Sequence, residues 1–315
     1  MFGRWIANSG FRCYSVARTA KIDPSLKASE VIVKVDAHTV RYSHYNRHLS
    51  DFGTELVGTV EKVGEDSDFN VGDRIFAGIS TNVNFTKPLK LHTFNHKIME
   101  VPESIKTEDA LASVGNYALG YLGLKKLALE KQGNSILLLG QNRSLSSAIL
   151  DLAQNLFECQ VTGVSDSKLN MERFQSQGCN EVLNWKDETL IPKVLERTFG
   201  VGADFVIDTV GGDALEKLQH CIKPNGLLLI LDQSSGRIPV INTKTLIERN
   251  LTVSSISFEK QNPADVRKAF QMAMQILESG MPRGVAPIVV TKDDEARNAL
   301  EDNRFTGQVV MRIKH

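Results

Sequence analysis

The chain has 315 residues, 42% of them hydrophobic, enough to bury a large core in one large or two medium domains. Its 37 Lys and Arg are balanced by 37 Asp and Glu, so there is no overall basic excess to steer it to nucleic acid or anionic lipid. No apolar run approaches the roughly 20 residues of a membrane-spanning helix, and Cys13, Cys159, Cys179 and Cys221 form no C-x-x-C pair, which fits a reducing compartment better than a disulfide framework.

Residues 1–22 carry Arg4, Arg12, Arg18 and Lys21 with no Asp or Glu, interleaved with Phe2, Trp5, Ile6 and Phe11. This is the composition of a mitochondrial targeting segment, and Arg12-Cys13-Tyr14-Ser15 resembles a matrix-protease site cut after Tyr14. The expected location is the mitochondrial matrix; a disordered basic tail is the plainer alternative. Either way the segment stands outside the fold.

From Glu30 onward, Val31–Val35, Leu56–Gly64 and Asp73–Gly78 read as short strands punctuated by glycine. From Asn134 the pattern changes. Ser135–Leu139 is a short apolar run closed by Gly140, and after a polar turn Leu145, Ile149, Leu150 and Leu152 recur at helical spacing. Strands near 136–139, 160–164, 181–183, 204–208, 227–231 and 252–256 then alternate with helices at 145–157, 168–177, 188–198, 213–222, 242–248 and 263–279. That is the rhythm of a parallel sheet with crossover helices, whose ligands bind at the carboxyl ends of the strands near the switch in strand order.

The spacing of Gly53, Glu55, Gly58, Gly64, Gly72, Asp73 and Arg74 resembles the G-x-E-x-x-G-x-V-x-x-V-G…G-D-R-V signature of the medium-chain dehydrogenase/reductase superfamily, at the place of its GroES-like domain. The likeness continues through Met99–Lys126, Val161–Trp185 and Gly202–Leu231 to Arg304–Ile313, which resembles the strand that closes the N-terminal domain. The branch it is most similar to is the zinc-independent quinone oxidoreductase-like and enoyl reductase-like one. This implies an α/β fold, a Rossmann-type doubly wound parallel sheet plus a GroES-like β domain. The implied organisation is a targeting segment 1–22, a GroES-like domain 23–125, a Rossmann-like domain 126–260, and a segment 261–315 completing both.

The resemblance further implies NAD(P)H-dependent hydride transfer to a conjugated carbonyl, an enone or quinone substrate, NADP(H) as cofactor and no zinc. Thr54 stands where the zinc branch has histidine, and the cysteine ligands of that branch are missing. His38, His44 and His48 could in principle gather at a metal, but a polar loop is the favoured reading and no metal ligand is assigned. The expected cofactor-binding residues are Gly140, Asn142, Arg143, Ser144, Ser146, Asp166, Ser167 and Lys168. Tyr42, Tyr45 and Tyr121 are the candidate catalytic proton donors.

Several departures fall together. Of the three glycines of a G-x-x-G-x-x-G turn only Gly140 is kept, with Arg143 and Ser146 in the other places. Val40–His44 replaces a usual Val-Asn-Pro-x-Asp segment, and Leu119 stands where a threonine is common. Arg143 can pair with a phosphate or fill the cofactor's place, the second being favoured. Asp166 would accept from a ribose 2′-hydroxyl while Ser167 and Lys168 would welcome a 2′-phosphate, and Asp166 or Ser167 could equally cap the next helix. The alternative function is therefore a catalytically inactive family member serving as a binding or assembly subunit in the matrix, with a protein-complex or RNA partner. A homodimer through the edge strand around Val253–Phe258 is a further expectation.

Overall fold

The computed structural model describes residues 23–40, 54–79, 83–93, 97–127, 129, 133–140, 143–179, 181–235, 237–280, 286–301 and 308–314. These form two compact units: one holds the described residues up to Ala118 and from Gln261 onward, the other holds Leu119–Lys260.

In the first unit β1 (Glu30–Val40) is the central strand of an antiparallel array. It pairs with β2 (Thr54–Val63), β4 (Leu89–His92) and β13 (Val309–Arg312). Beyond β2 follow β3 (Arg74–Ile79) and β5 (Lys97–Glu100), and β12 (Ile288–Val290) lies outside β13. The period of two places Val31, Val33 and Val35 on one face of β1, where they are wholly buried against Leu56, Val60, Ile75, Ala77 and Leu91. The G-D-R part of the signature is a fastening. The Arg74 guanidinium donates to Pro102 O at 3.3 Å, Ile105 O at 3.1 Å and Thr107 Oγ1 at 3.2 Å, tying β3 to the chain that enters the helix α1 (Thr107–Lys126).

The segment from 261 onward was expected to complete both domains; its described residues lie with the first unit. There α7 (Pro263–Glu278) sets Phe270 edge-on to Phe76 with centroids 5.2 Å apart, and β13 aligns Ala37 with Arg312 through Val40 with Val309. The division between units falls inside α1, at Ala118/Leu119, rather than at 125/126. One continuous helix carries both sides of the division, and local sequence cannot show which of its turns packs on which body.

The second unit is a six-stranded parallel sheet in the order β11-β10-β9-β6-β7-β8. Its strands are β6 (Ser135–Leu139), β7 (Gln160–Val164), β8 (Glu181–Leu183), β9 (Ala203–Asp208), β10 (Ile222–Ile230) and β11 (Thr252–Ser255). The helices between them are α2 (Arg143–Asn155), α3 (Lys168–Ser176), α4 (Leu190–Arg197), α5 (Gly212–Leu218) and α6 (Thr243–Arg249). In the first unit α8 (Asp293–Glu301) buries Ala296 against Val290 and Val309. A parallel doubly wound sheet in one unit and a mainly antiparallel β array in the other are the expected fold class.

One element differs from its expected limits. The helix expected over 213–222 ends at Leu218, a short 3-10 turn covers Gln219–Cys221, and β10 begins at Ile222 rather than near 227. Ile222 pairs with Ala203, and the register then jumps to Leu227 with Phe205. The intervening Lys-Pro-Asn-Gly reads as a turn in sequence but is an irregularity within the strand, because Cys221 and Ile222 are wholly buried and hold the earlier residues in the sheet.

Candidate functional site

The strand order of the second unit reverses between β6 and β9, so the crevice that such sheets offer to ligands opens at the carboxyl ends of these two strands. Three bonds define that end. Gly140 N–H donates to Val164 O at 3.0 Å, and Thr209 donates to Leu139 O from both its N–H, at 3.1 Å, and its Oγ1, at 2.9 Å. The carboxyl end of β6 is thus tied to the residue that follows β9 and to the end of β7.

The packing of that turn explains how it tolerates serine at its third glycine place. A Cβ on residue 140 would stand 2.5 Å from Phe174 Cζ and 2.8 Å from Ser146 Oγ. The space that Gly140 leaves open is therefore taken by Phe174 and Ser146 from within the unit, and Ser146 is wholly buried. Ser144 is 9% exposed, and the first turn of α2 carries no carboxylate that would repel an anion. The N-terminus of α2, a 13-residue helix, is the kind of helix end that favours an anion. Asn142 lies outside the described residues, as does the side chain of Arg143.

At the end of β7, Ser165 N–H donates to Leu183 O at 3.0 Å. Ser167 caps α3, its Oγ accepting from Asn170 N–H at 3.5 Å, so the plainer reading of this serine is the one that the geometry realises. Asp166 Oδ2 is 2.9 Å from the ammonium of Lys186, a residue just past β8 that sequence reasoning did not single out. Lys168 is nearly fully exposed and stands 3.8 Å from Glu172 one turn along the helix.

The second residue missed by sequence reasoning is Asp208, at the end of β9 and wholly buried. Burial pushes its carboxyl up to about 6, and the charge of Asp232 adds to this. The N–H groups of Gly211 and Val210, which donate to Oδ1 at 2.9 Å and 2.8 Å, oppose it. The signal was present in Asp208-Thr209-Val210-Gly211-Gly212, since an acid closing a buried strand must find donors in its own turn, and Gly211 at φ 75° supplies one.

A family model described as zinc-binding dehydrogenase matches residues 145–278. A quinone oxidoreductase-like protein 2 homolog from Nematostella vectensis is 27% identical over 269 residues, covering 83% of this chain and 73% of that protein. Over these matched stretches the chain is similar to the medium-chain dehydrogenase/reductase superfamily. Its fold is that of Escherichia coli quinone oxidoreductase complexed with NADPH, at TM-score 0.78 and 20% identity over 93% of this chain and 94% of that one. It is likewise that of the CurK enoyl reductase, at TM-score 0.74 and 17% identity over 94% and 93%. These features fit the zinc-independent, quinone oxidoreductase-like branch.

The matched family's description mentions zinc, but among the described residues no group of three or more His, Cys, Asp or Glu is placed to hold a metal. His38 is stacked on Phe85 with centroids 4.0 Å apart, and its Nδ1 lies 3.0 Å from Thr39 O. His44, His48, Tyr42 and Tyr45 lie outside the described residues. Tyr121, on α1, packs on Phe157 with centroids 6.2 Å apart and has the Lys125 ammonium 5.7 Å from its ring. Cys159, Cys179 and Cys221 are buried, and burial pushes all three thiols up, Cys159 to about 11 and Cys221 to about 12, so none of them is poised as a nucleophile.

Proposed function

We propose that this protein is an NADP(H)-dependent, zinc-independent reductase that delivers hydride to the β-carbon of a conjugated carbonyl in a quinone, an enone or an enoyl thioester. The observation that carries the reading is the burial of Ser146 beneath Gly140, because it packs the serine at the third glycine place into the unit, between the end of β6 and α2. When bound, the nicotinamide supplies the hydride. The chain's own part is to hold the pyrophosphate on the backbone at the start of α2 and to hold the adenosine ribose at the end of β7. The Thr209 bonds to Leu139 hold the ends of β6 and β9 in place at that crevice.

Binding is tested by thermal unfolding with NADPH and with NADH. At about a hundredfold excess over its dissociation constant a ligand stabilises the folded state by roughly 2.7 kcal/mol, a shift too large to miss. No shift with either nucleotide overturns the reading and leaves the second one, a catalytically inactive member acting as a binding or assembly subunit. That second reading is favoured by Arg143 in a glycine place and by Tyr121 lying against Phe157.

The proposed location is the mitochondrial matrix, on the acid-free arginine-bearing segment 1–22. Deleting residues 1–18 should abolish import, and import at the usual efficiency would end that proposal. A homodimer through β11 belongs to the same reading. It is supported by the apolar surface that Val253, Ile247 and Ile238 expose on the second unit.

A further inference from the structure

The ribose end of the site contains a contact that the choice of nucleotide turns on. An acid at the end of the second strand of such a unit ordinarily accepts from the ribose 2′-hydroxyl and repels a 2′-phosphate, which selects NAD over NADP. Asp166 holds that place, and by itself it would argue for NAD. Its carboxylate, however, is engaged at 2.9 Å by Lys186 Nζ. The pair is asymmetric: the Asp166 side chain is 15% exposed, the Lys186 side chain 63%. Lys186 is held from two sides, since its backbone N–H donates to Asn184 Oδ1 at 2.9 Å and its ammonium stands 5.4 Å from the Trp185 ring.

We propose that Lys186 is the residue that makes this corner accept a 2′-phosphate. It neutralises the carboxylate that would repel the phosphate, and its own ammonium stays largely exposed, as does that of Lys168 at the start of α3. Glu172, opposite Lys168 at 3.8 Å, is the acid that works against it. Asp166 then serves as a positioning residue for Lys186, and the preference follows from a pair of residues that lie just past the ends of adjacent parallel strands, β7 and β8. The inference rests on the dinucleotide reading above.

The test measures binding by calorimetry, with no turnover involved, using NADPH, NADH, 2′,5′-ADP and 5′-AMP on the full chain and on two variants. The unmodified protein should prefer NADPH to NADH, and 2′,5′-ADP to 5′-AMP. Lys186→Met keeps the methylene stem against Trp185 and removes the charge; it should cut both preferences at least tenfold while leaving 5′-AMP binding within a factor of about two. Asp166→Asn, with Lys186 intact, should keep or raise the preference for the phosphate-bearing ligands. If the unmodified protein binds dinucleotide but its preference is unchanged by Lys186→Met, the role of Lys186 is refuted and the reductase reading stands. If it binds none of the four ligands, both fall together.

Discussion

Glu55 and Gly115 are packed so closely that a methyl group on residue 115 would stand 2.6 Å from the Glu55 carboxyl carbon. The carboxylate of the G-x-E signature is thus seated on the side of α1, where only glycine leaves room for it. Glu55 is 6% exposed, its N–H accepted by Thr39 Oγ1 at 3.0 Å, so it is not free to swing away.

Gly115→Ala should therefore destabilise the protein by about 1–3 kcal/mol, as overpacking does. The sign is informative, because alanine at an uncrowded helical glycine gains about 1 kcal/mol. Chemical denaturation measures it, and Glu55→Ala in the same chain should recover part of the loss. A stabilised Gly115→Ala would show that the carboxylate moves aside.

Arg74 joins β3 to the entry of α1 through three acceptors spread over Pro102, Ile105 and Thr107. Lysine has one ammonium in place of the planar fork and cannot reach all three. Arg74→Lys should cost about 1–3 kcal/mol, read as a lower denaturant midpoint with unchanged slope. An unchanged midpoint would mean that the fastening is redundant.

Asp208 gives a pH dependence of definite sign. Its carboxyl is raised from the ordinary 3.8 to about 6 in the folded protein, so the folded state holds a proton that the unfolded state has released across that window. Its contribution to stability is greatest below about pH 4, falls as pH rises toward 6, and at pH 7 is lower by about 3 kcal/mol, at roughly 1.4 kcal/mol per unit. Asp208→Asn keeps an acceptor for the Val210 and Gly211 N–H groups and removes the titration. Unfolding curves of both proteins between pH 4.5 and 7 should converge at the acid end and separate, with the variant more stable, at the neutral end. Parallel curves would remove Asp208 from the explanation.

Val253 lies on the outer strand of the parallel sheet, β11, and is 37% exposed. If that edge pairs with its copy, Val253→Lys should convert a dimer to a monomer in sedimentation, since a charge on an edge strand opposes pairing. A monomeric unmodified protein would end the dimer proposal.

The period change at Gly140, from a buried strand to apolar residues every three or four positions, was enough to place β6 and α2. The same local logic placed the other five strands of that sheet, β10 only in its second half, and offered Asp166 or Ser167 as the cap before α3, of which Ser167 is the one seen. These features depend on residues a few positions apart, which any stretch of chain carries with it. What needed the tertiary structure was the identity of distant partners. Ser146 is a lost phosphate-turn glycine in sequence and a buried residue under Gly140 in the fold, because the direction of its side chain depends on how α2 lies on β6 and on Phe174 coming in from α3. Lys186 is twenty positions from Asp166, and only the parallel pairing of β7 with β8 brings their ends together. In the same way, the residues after Gln261 could be read as a helix and closing strands, but the body they join is settled by the register of β13 on β1, a pairing across most of the chain.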